Sequence, residues 1–218
     1  MGKRVLGVMV VMLALTLVVE TARADLIAIT NPSFDTPDVR SGAWGALADS
    51  GWSGTSSLYF VYDPSDPRFS GTNGDNANSE GVLPDGGQIA NLDRKTVYQV
   101  VGVTQPYTMY TLTFWIGTSK SDGVGTYGAE LLDDGVAFAT DKDSGPVADS
   151  FVQLTLIGQT GASVSGDLSI QFSHVGAGIA WLDMVELSSE EYTLAPVPEP
   201  AGLGLIGLAA LGLRRKRR

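Results

Sequence analysis

The chain of 218 residues has no cysteine. Thiolate zinc sites, iron–sulfur clusters and cysteine nucleophiles are therefore excluded, and no disulfide can staple the fold. Such a domain rests on its hydrophobic core or on a bound metal. Histidine is almost as scarce, with His174 the single one. A Ser/His/Asp relay would have to use it, yet no Gly-x-Ser-x-Gly elbow accompanies it, so a structural role is expected of it. Between residues 25 and 196 the apolar runs are short. None keeps a period of about 3.6 residues over three turns, and no repeat of roughly 20–50 residues is visible. Gly123-Val124-Gly125 is not followed by a helix-opening pattern, which argues against a phosphate-cradling loop. Asp75, Asn76, Asn78 and Glu80 lack the spacing of an EF-hand. Asp133 and Asp134 are adjacent, so on a strand they point to opposite faces and make a poor acid/base pair. Basic residues are also few: residues 25–196 hold six Lys or Arg against 22 Asp or Glu, a net charge of −16. Nucleic acid and anionic lipid headgroups are poor partners for that surface. Divalent cations, neutral glycans and cationic polymers stay open, and solubility alone would explain the charge.

Both ends carry address-like patterns. Lys3 and Arg4 precede an uncharged apolar run over residues 5–19. Thr21-Ala22-Arg23-Ala24 then offers a small-residue cleavage site, Ala22 and Ala24, before Asp25. No Arg-Arg pair stands near the start, so the general secretory machinery and signal peptidase are the expected partners. At the other end Val197-Pro198-Glu199-Pro200 leads into the uncharged residues 201–213 and the cluster Arg214-Arg215-Lys216-Arg217-Arg218. As a helix, residues 201–213 would rise about 20 Å against the ~30 Å of a hydrocarbon core. Flanking apolar residues and snorkelling Arg stems would extend it. Five cations should stop translocation and stay cytoplasmic. This tripartite tail closely resembles the PEP-CTERM sorting signal. The resemblance implies an exosortase as partner, recognition at Pro198-Glu199-Pro200, and a Gram-negative bacterium that makes extracellular polysaccharide or biofilm. The expected route is export, an inner-membrane intermediate held by the C-terminal helix, then the cell surface or extracellular matrix.

The middle reads as one domain of short strands. Runs with strand character fall at 26–29, 58–61, 88–92, 97–103, 107–116, 127–132, 136–140, 151–157, 168–172 and 179–187. Leu112, Phe114 and Ile116 share one face of their run, as do Val152, Leu154 and Leu156. Asp133-Asp134-Gly135 reads as a hairpin turn, with Gly135 supplying a positive φ. About ten short strands in one domain predict an antiparallel sandwich. Residues 35–57 and 62–85 are poor in strand signal and predict long loops at one end. Asn31-Pro32-Ser33-Phe34-Asp35, followed by Trp44, Gly51-Trp52 and the closing Trp181-Leu182-Asp183-Met184-Val185-Glu186-Leu187, resembles galactose-binding-like jelly rolls and carbohydrate-binding modules. The expected fold is all-β, an antiparallel β-sandwich of jelly-roll type, with an N-terminal signal helix and a C-terminal transmembrane helix. Its expected parts are a signal peptide over 1–24, a sandwich over 25–192 and a sorting signal over 193–218.

Two kinds of site follow. The jelly-roll resemblance implies that Asp35 and Asp183 approach and hold a structural Ca²⁺ with backbone carbonyls; Ca²⁺ takes six to eight hard oxygens. No other cofactor is required. Sugars stack on exposed rings, which makes Trp44, Trp52, Tyr59 and Tyr62, in or beside the long loops, the candidate glycan platform. Trp115 and Trp181 lie in strands and are expected in the core. The functional expectation is a non-catalytic protein of the extracellular polysaccharide or biofilm matrix that binds glycan. Its alternatives are a polysaccharide-active hydrolase or lyase and a purely structural matrix or adhesion component. Extracellular polysaccharide is the expected ligand and nucleic acid is not.

Overall fold

The computed structural model describes residues 24–39, 43–55, 60–62, 84, 87–118, 125–144, 150–174, 176 and 178–192. Among them each predicted run yields a strand, and two short strands appear inside 35–57. In chain order they are β1 (Asp25–Ile27), β2 (Trp44–Gly45), β3 (Ser53–Gly54), β4 (Val61–Tyr62), β5 (Ile89–Asn91) and β6 (Thr96–Val103). There follow β7 (Thr108–Thr118), β8 (Thr126–Asp133), β9 (Val136–Ser144), β10 (Ser150–Gln159), β11 (Asp167–His174) and β12 (Trp181–Glu191). They form two antiparallel sheets. One runs β10-β7-β12-β5-β4-β2, with β1 also on β12; the other runs β3-β6-β11-β8-β9.

Side-chain alternation builds the layer between the sheets. On β7, Tyr110, Leu112, Phe114 and Ile116 are fully buried, while the residues between them are only partly covered. From β12, Leu182 and Leu187 join them; from the facing sheet come Val97, Leu131, Ile170 and Phe172. Each such side chain contributes about 1.5–3 kcal/mol when taken out of water, so the core holds the domain without disulfides. The hairpin turn forms as read: Asp134 (φ 49°) and Gly135 (φ 80°) make the two-residue loop between β8 and β9. Both residues at positive φ match the right-handed twist of the flanking strands. The Asp133 carboxylate is spent locally. It accepts the Ser165 N–H at 2.8 Å, the Ser165 hydroxyl at 2.9 Å and the Gly166 N–H at 3.0 Å. Desolvation opposes these bonds, and the balance holds the carboxyl below its ordinary value.

The all-β sandwich stands, and the described residues add no signal or transmembrane helix to it. Among the described residues the helical structure is a 3₁₀ turn, Leu47–Asp49, and no helix is long and apolar enough to cross a membrane. The signal helix and the transmembrane helix fell on residues outside those described. On that finding the expected inner-membrane intermediate and the surface localisation built on it are not carried further.

Candidate functional site

The seven-stranded sheet has a second face, turned away from the core, and it is not an ordinary solvated one. Register decides who stands on it. Leu182 and Ala90 are cross-strand partners and both belong to the inner core. Their neighbours Trp181, Asp183, Ile89 and Asn91 therefore point outward. On β7 the inward Phe114 and Ile116 leave Trp115 and Gly117 outward, and β10 sets Phe151 opposite Gly117. On β4 and β2 the inward Val61 leaves Tyr62 outward beside Trp44.

These outward residues close up into a second apolar cluster. Tyr62, Ile89 and Trp181 are its buried members, with Trp44, Phe151 and Ile179 packed around them. Trp44 stacks on Tyr62 at 4.3 Å between ring centroids, and Trp181 lies 5.7 Å from Tyr62 and 6.0 Å from Trp44. Gly117 makes room for Phe151: a Cβ there would stand 2.4 Å from its ring.

Asp183 shares this face with Trp181 and is 0% exposed. Trp115 of β7 is its direct cross-strand partner, and the register puts Ile89 opposite it on β5. A β-bulge follows at once, with the register shifting between Asp183 and Glu186 and Met184 at φ +44°. Bulges re-aim the side chains next to them, and a non-glycine residue in the left-handed region costs of order 1–3 kcal/mol. The bulge is tied down at both sides. The Met184 N–H donates to Asp183 Oδ1 at 2.7 Å, and the Val185 N–H donates to the Pro32 carbonyl at 2.9 Å. Strain and hydrogen bonding together fix where this carboxyl points.

A polar corner adjoins the cluster. Asn91 is the cross-strand partner of Trp181 and is 6% exposed. Its Oδ1 accepts the Asp93 N–H at 2.6 Å and Lys95 Nζ at 3.1 Å. Lys95 also donates to the Asp93 carbonyl at 3.2 Å. Burial lowers the Lys95 amine below its ordinary value, and the Asp93 charge partly offsets this.

The sequence-predicted residues separate. Trp44 and Tyr62 do come together, and Asp183 lies on the same face. Trp52 does not join them: it is 3% exposed in the inner core, 5.3 Å from Phe34, with Nε1 donating to the Asn31 carbonyl at 3.2 Å. Asp35 is exposed and accepts the Ser33 hydroxyl at 2.7 Å, in contrast to the fully buried Asp183. Among the described residues no group of three or more His, Asp or Glu could hold a metal ion. His174 ends β11 on the other sheet and accepts the Arg94 N–H at Nδ1, 3.2 Å. Ala24 is exposed just before β1. Tyr59, Ala22, the motif residues 197–200 and the cations 214–218 lie outside the described residues. Sequence reasoning placed Trp181 and Trp115 in the core: Trp181 is fully buried, in the second cluster, while Trp115 is only partly covered. Strand alternation puts Trp181 and Asp183 on the face opposite Leu182.

Comparison with known proteins gives this face a context. The family model of the HpiC1 cyclase matches residues 25–188, and that of the PEP-CTERM protein-sorting motif matches residues 196–218. The sorting motif generally implies processing by an exosortase. No curated protein matches the chain. Among solved structures, a Stig cyclase from Fischerella sp. TAU, in complex with (3Z)-3-(1-methyl-2-pyrrolidinylidene)-3H-indole, superposes with a TM-score of 0.60 at 19% identity; the match covers 78% of this chain and all of that one. A cyclase from Fischerella sp. TAU and an apo cyclase from Fischerella sp. superpose with TM-scores of 0.59 and 0.58 at 20% and 21% identity. They cover 79% and 78% of this chain and 100% and 98% of their own.

These matches overturn the sugar-binding resemblance. Asn31 and Phe34 serve the sandwich rather than a ligand: the Asn31 amide binds the Thr36 carbonyl and the Ser50 carbonyl, and Phe34 fills the inner core. They overturn the functional expectation too. The non-catalytic matrix protein, the polysaccharide hydrolase or lyase, the structural adhesion component and carbohydrate binding are withdrawn, and the family match points to an enzyme instead. By the match over residues 25–188, the chain belongs to the HpiC1 cyclase family.

Proposed function

We propose that the chain is a small-molecule cyclase in which Asp183 donates the proton that starts ring closure on an indole-bearing substrate. The observation that carries this reading is a fully buried carboxyl on the same sheet face as Trp181 and Trp115, in a member of a cyclase family. Burial in apolar surroundings favours the neutral form of a carboxylic acid, which is the form able to give up a proton. The proton adds to one carbon of a C=C bond. The π pair of that bond makes the new C–H bond and leaves the neighbouring carbon cationic. A second π bond of the same molecule attacks that carbon and closes the ring. Loss of a proton to the Asp183 carboxylate then restores both acid and neutral product. The reaction is an isomerisation and needs no oxidant or reductant. Trp44, Tyr62 and Trp181 supply ring faces to the cation, each worth about 2 kcal/mol where water is excluded. The indole class is suggested by the ligand of the similar Fischerella enzyme.

Domain 25–192 is proposed to begin at a signal-peptidase cut after Ala24. Support comes from β1 and the family match, which both start at residue 25. Val197-Pro198-Glu199-Pro200, with the basic residues 214–218 behind it, is proposed as the segment an exosortase reads.

The test incubates the purified chain with a panel of indole-bearing alkenes in D₂O. A product of unchanged elemental composition apart from one incorporated deuterium, with one new ring, identified by NMR, is the expected result. Absence of ring closure across the panel, together with absence of exchange at indole carbon 3, overturns the reading.

A further inference from the structure

The amide of Asn91 is held in one orientation by its neighbours. Its oxygen already receives two donors, the Asp93 N–H at 2.6 Å and Lys95 Nζ at 3.1 Å. Two donors on one atom identify that atom as the oxygen, so the orientation of the amide is not arbitrary. Both hydrogens on Nδ2 are then directed away from Lys95, and Nδ2 donates to no described residue. The residue is 6% exposed and stands on the outward face, directly across from Trp181. Asp183 lies two residues beyond Trp181 on that face. Diagonal neighbours of this kind sit about 7–8 Å apart, roughly the width of a fused bicyclic ring. With no described acceptor and with Nδ2 not among the buried unpartnered atoms, its hydrogens are open to an acceptor that a ligand brings. Lys95, a cation bonded to the same amide, draws charge from its oxygen and strengthens the Nδ2–H bonds as donors.

Resting on the cyclase reading of the same face, we propose that Asn91, oriented by Asp93 and Lys95, selects substrates carrying a hydrogen-bond-accepting heteroatom about one bicyclic ring width from the group that Asp183 protonates. The acceptor is an imine-type ring nitrogen, a carbonyl or an ether oxygen. Lys95 is a positioning residue in this arrangement and Asn91 is the one that touches the ligand.

The test measures binding of two probes to the full chain by tryptophan fluorescence. One is (3Z)-3-(1-methyl-2-pyrrolidinylidene)-3H-indole, whose ring nitrogen accepts a hydrogen bond. The other is its indene analogue, in which a CH group replaces that nitrogen. Asn91→Asp keeps the Oδ1 acceptor for Asp93 and Lys95 and removes both donors, so its fold is expected to persist in a thermal melt. It should bind the indole probe about tenfold more weakly than the wild type and bind the indene probe equally well. Lys95→Met, which leaves the donors but removes their orientation, should weaken the indole probe by a few fold and again leave the indene probe alone. If Asn91→Asp and Lys95→Met both bind the indole probe as the wild type does, or weaken both probes alike, the role of Asn91 is overturned and the cyclase reading survives. If the wild type binds neither probe, the cyclase reading falls and the role of Asn91 falls with it.

Discussion

Replacing Asp183 by Asn changes one chemical property and little else. The amide has the shape of the carboxyl, and its oxygen can still accept the Met184 N–H now bonded at 2.7 Å. The flanking residues Trp115, Ile89 and Trp181 meet a side chain of the same volume. What disappears is the transferable proton. A positioned general acid contributes about 10²–10⁴-fold, which at about 1.4 kcal/mol per decade is about 3–5 kcal/mol of barrier. Folding should respond far less, because no cavity opens; a change within about 1 kcal/mol is expected in urea unfolding. Asp183→Ala would lose activity too, but it also empties a fully buried position and mixes the two effects. The assay follows deuterium uptake and ring closure on the indole panel alongside the unfolding midpoint. An Asp183→Asn protein that folds normally and turns over at the wild-type rate refutes the assignment of the proton donor.

Trp52→Ala is expected to cost about 3–5 kcal/mol in urea unfolding, because the ring is 3% exposed against Phe34 and Phe172; a loss under about 0.5 kcal/mol would return it to the surface. Two groups should give opposite pH slopes in thermal melts. The Lys95 amine is depressed below 10.5, so folding disfavours its charged form; its penalty is full below the depressed value and is relieved as pH climbs toward 10.5. Lys95→Met should remove that rise. The Tyr127 hydroxyl is raised above 10.0 by burial and by its bond to Asp141 at 2.9 Å, so its contribution is complete below pH 10 and lost above it. Tyr127→Phe should flatten the alkaline decline, and failure of either variant to change its slope contradicts the assignment. For calcium, Asp35 is exposed and already accepts from Ser33, whereas Asp183 is fully buried. Melting is therefore expected to be the same in excess Ca²⁺ and in EDTA; a rise with Ca²⁺ would restore a structural metal at Asp35.

Strand positions were legible where a period of two is written into the residues. Leu112, Phe114 and Ile116 announced their shared face, and Asp134-Gly135 announced its turn. The site was legible only in parts. Trp44, Tyr62, Ile89, Asn91, Trp181 and Asp183 come from four strands spread over most of the domain, and sequence holds no direct record of which strands pair. Without the order β12-β5-β4-β2, Trp44 and Tyr62 look like loop aromatics and Trp181 looks like core. Trp52 failed in the opposite sense: its loop-like surroundings hid a ring that fills the inner layer. The family was misread for a related reason. Asn31 and Phe34 meet requirements of a sandwich's first turn, whatever ligand that sandwich takes. The burial of Asp183, on which the cyclase reading leans, is a property of the folded chain.

The most direct measurement is a crystal structure of the chain with (3Z)-3-(1-methyl-2-pyrrolidinylidene)-3H-indole bound. The ligand should lie on the outward face of the seven-stranded sheet, against Trp44, Tyr62 and Trp181, with one atom within hydrogen-bonding distance of Asp183. A ligand seated elsewhere, or on that face with Asp183 out of reach, would contradict the account.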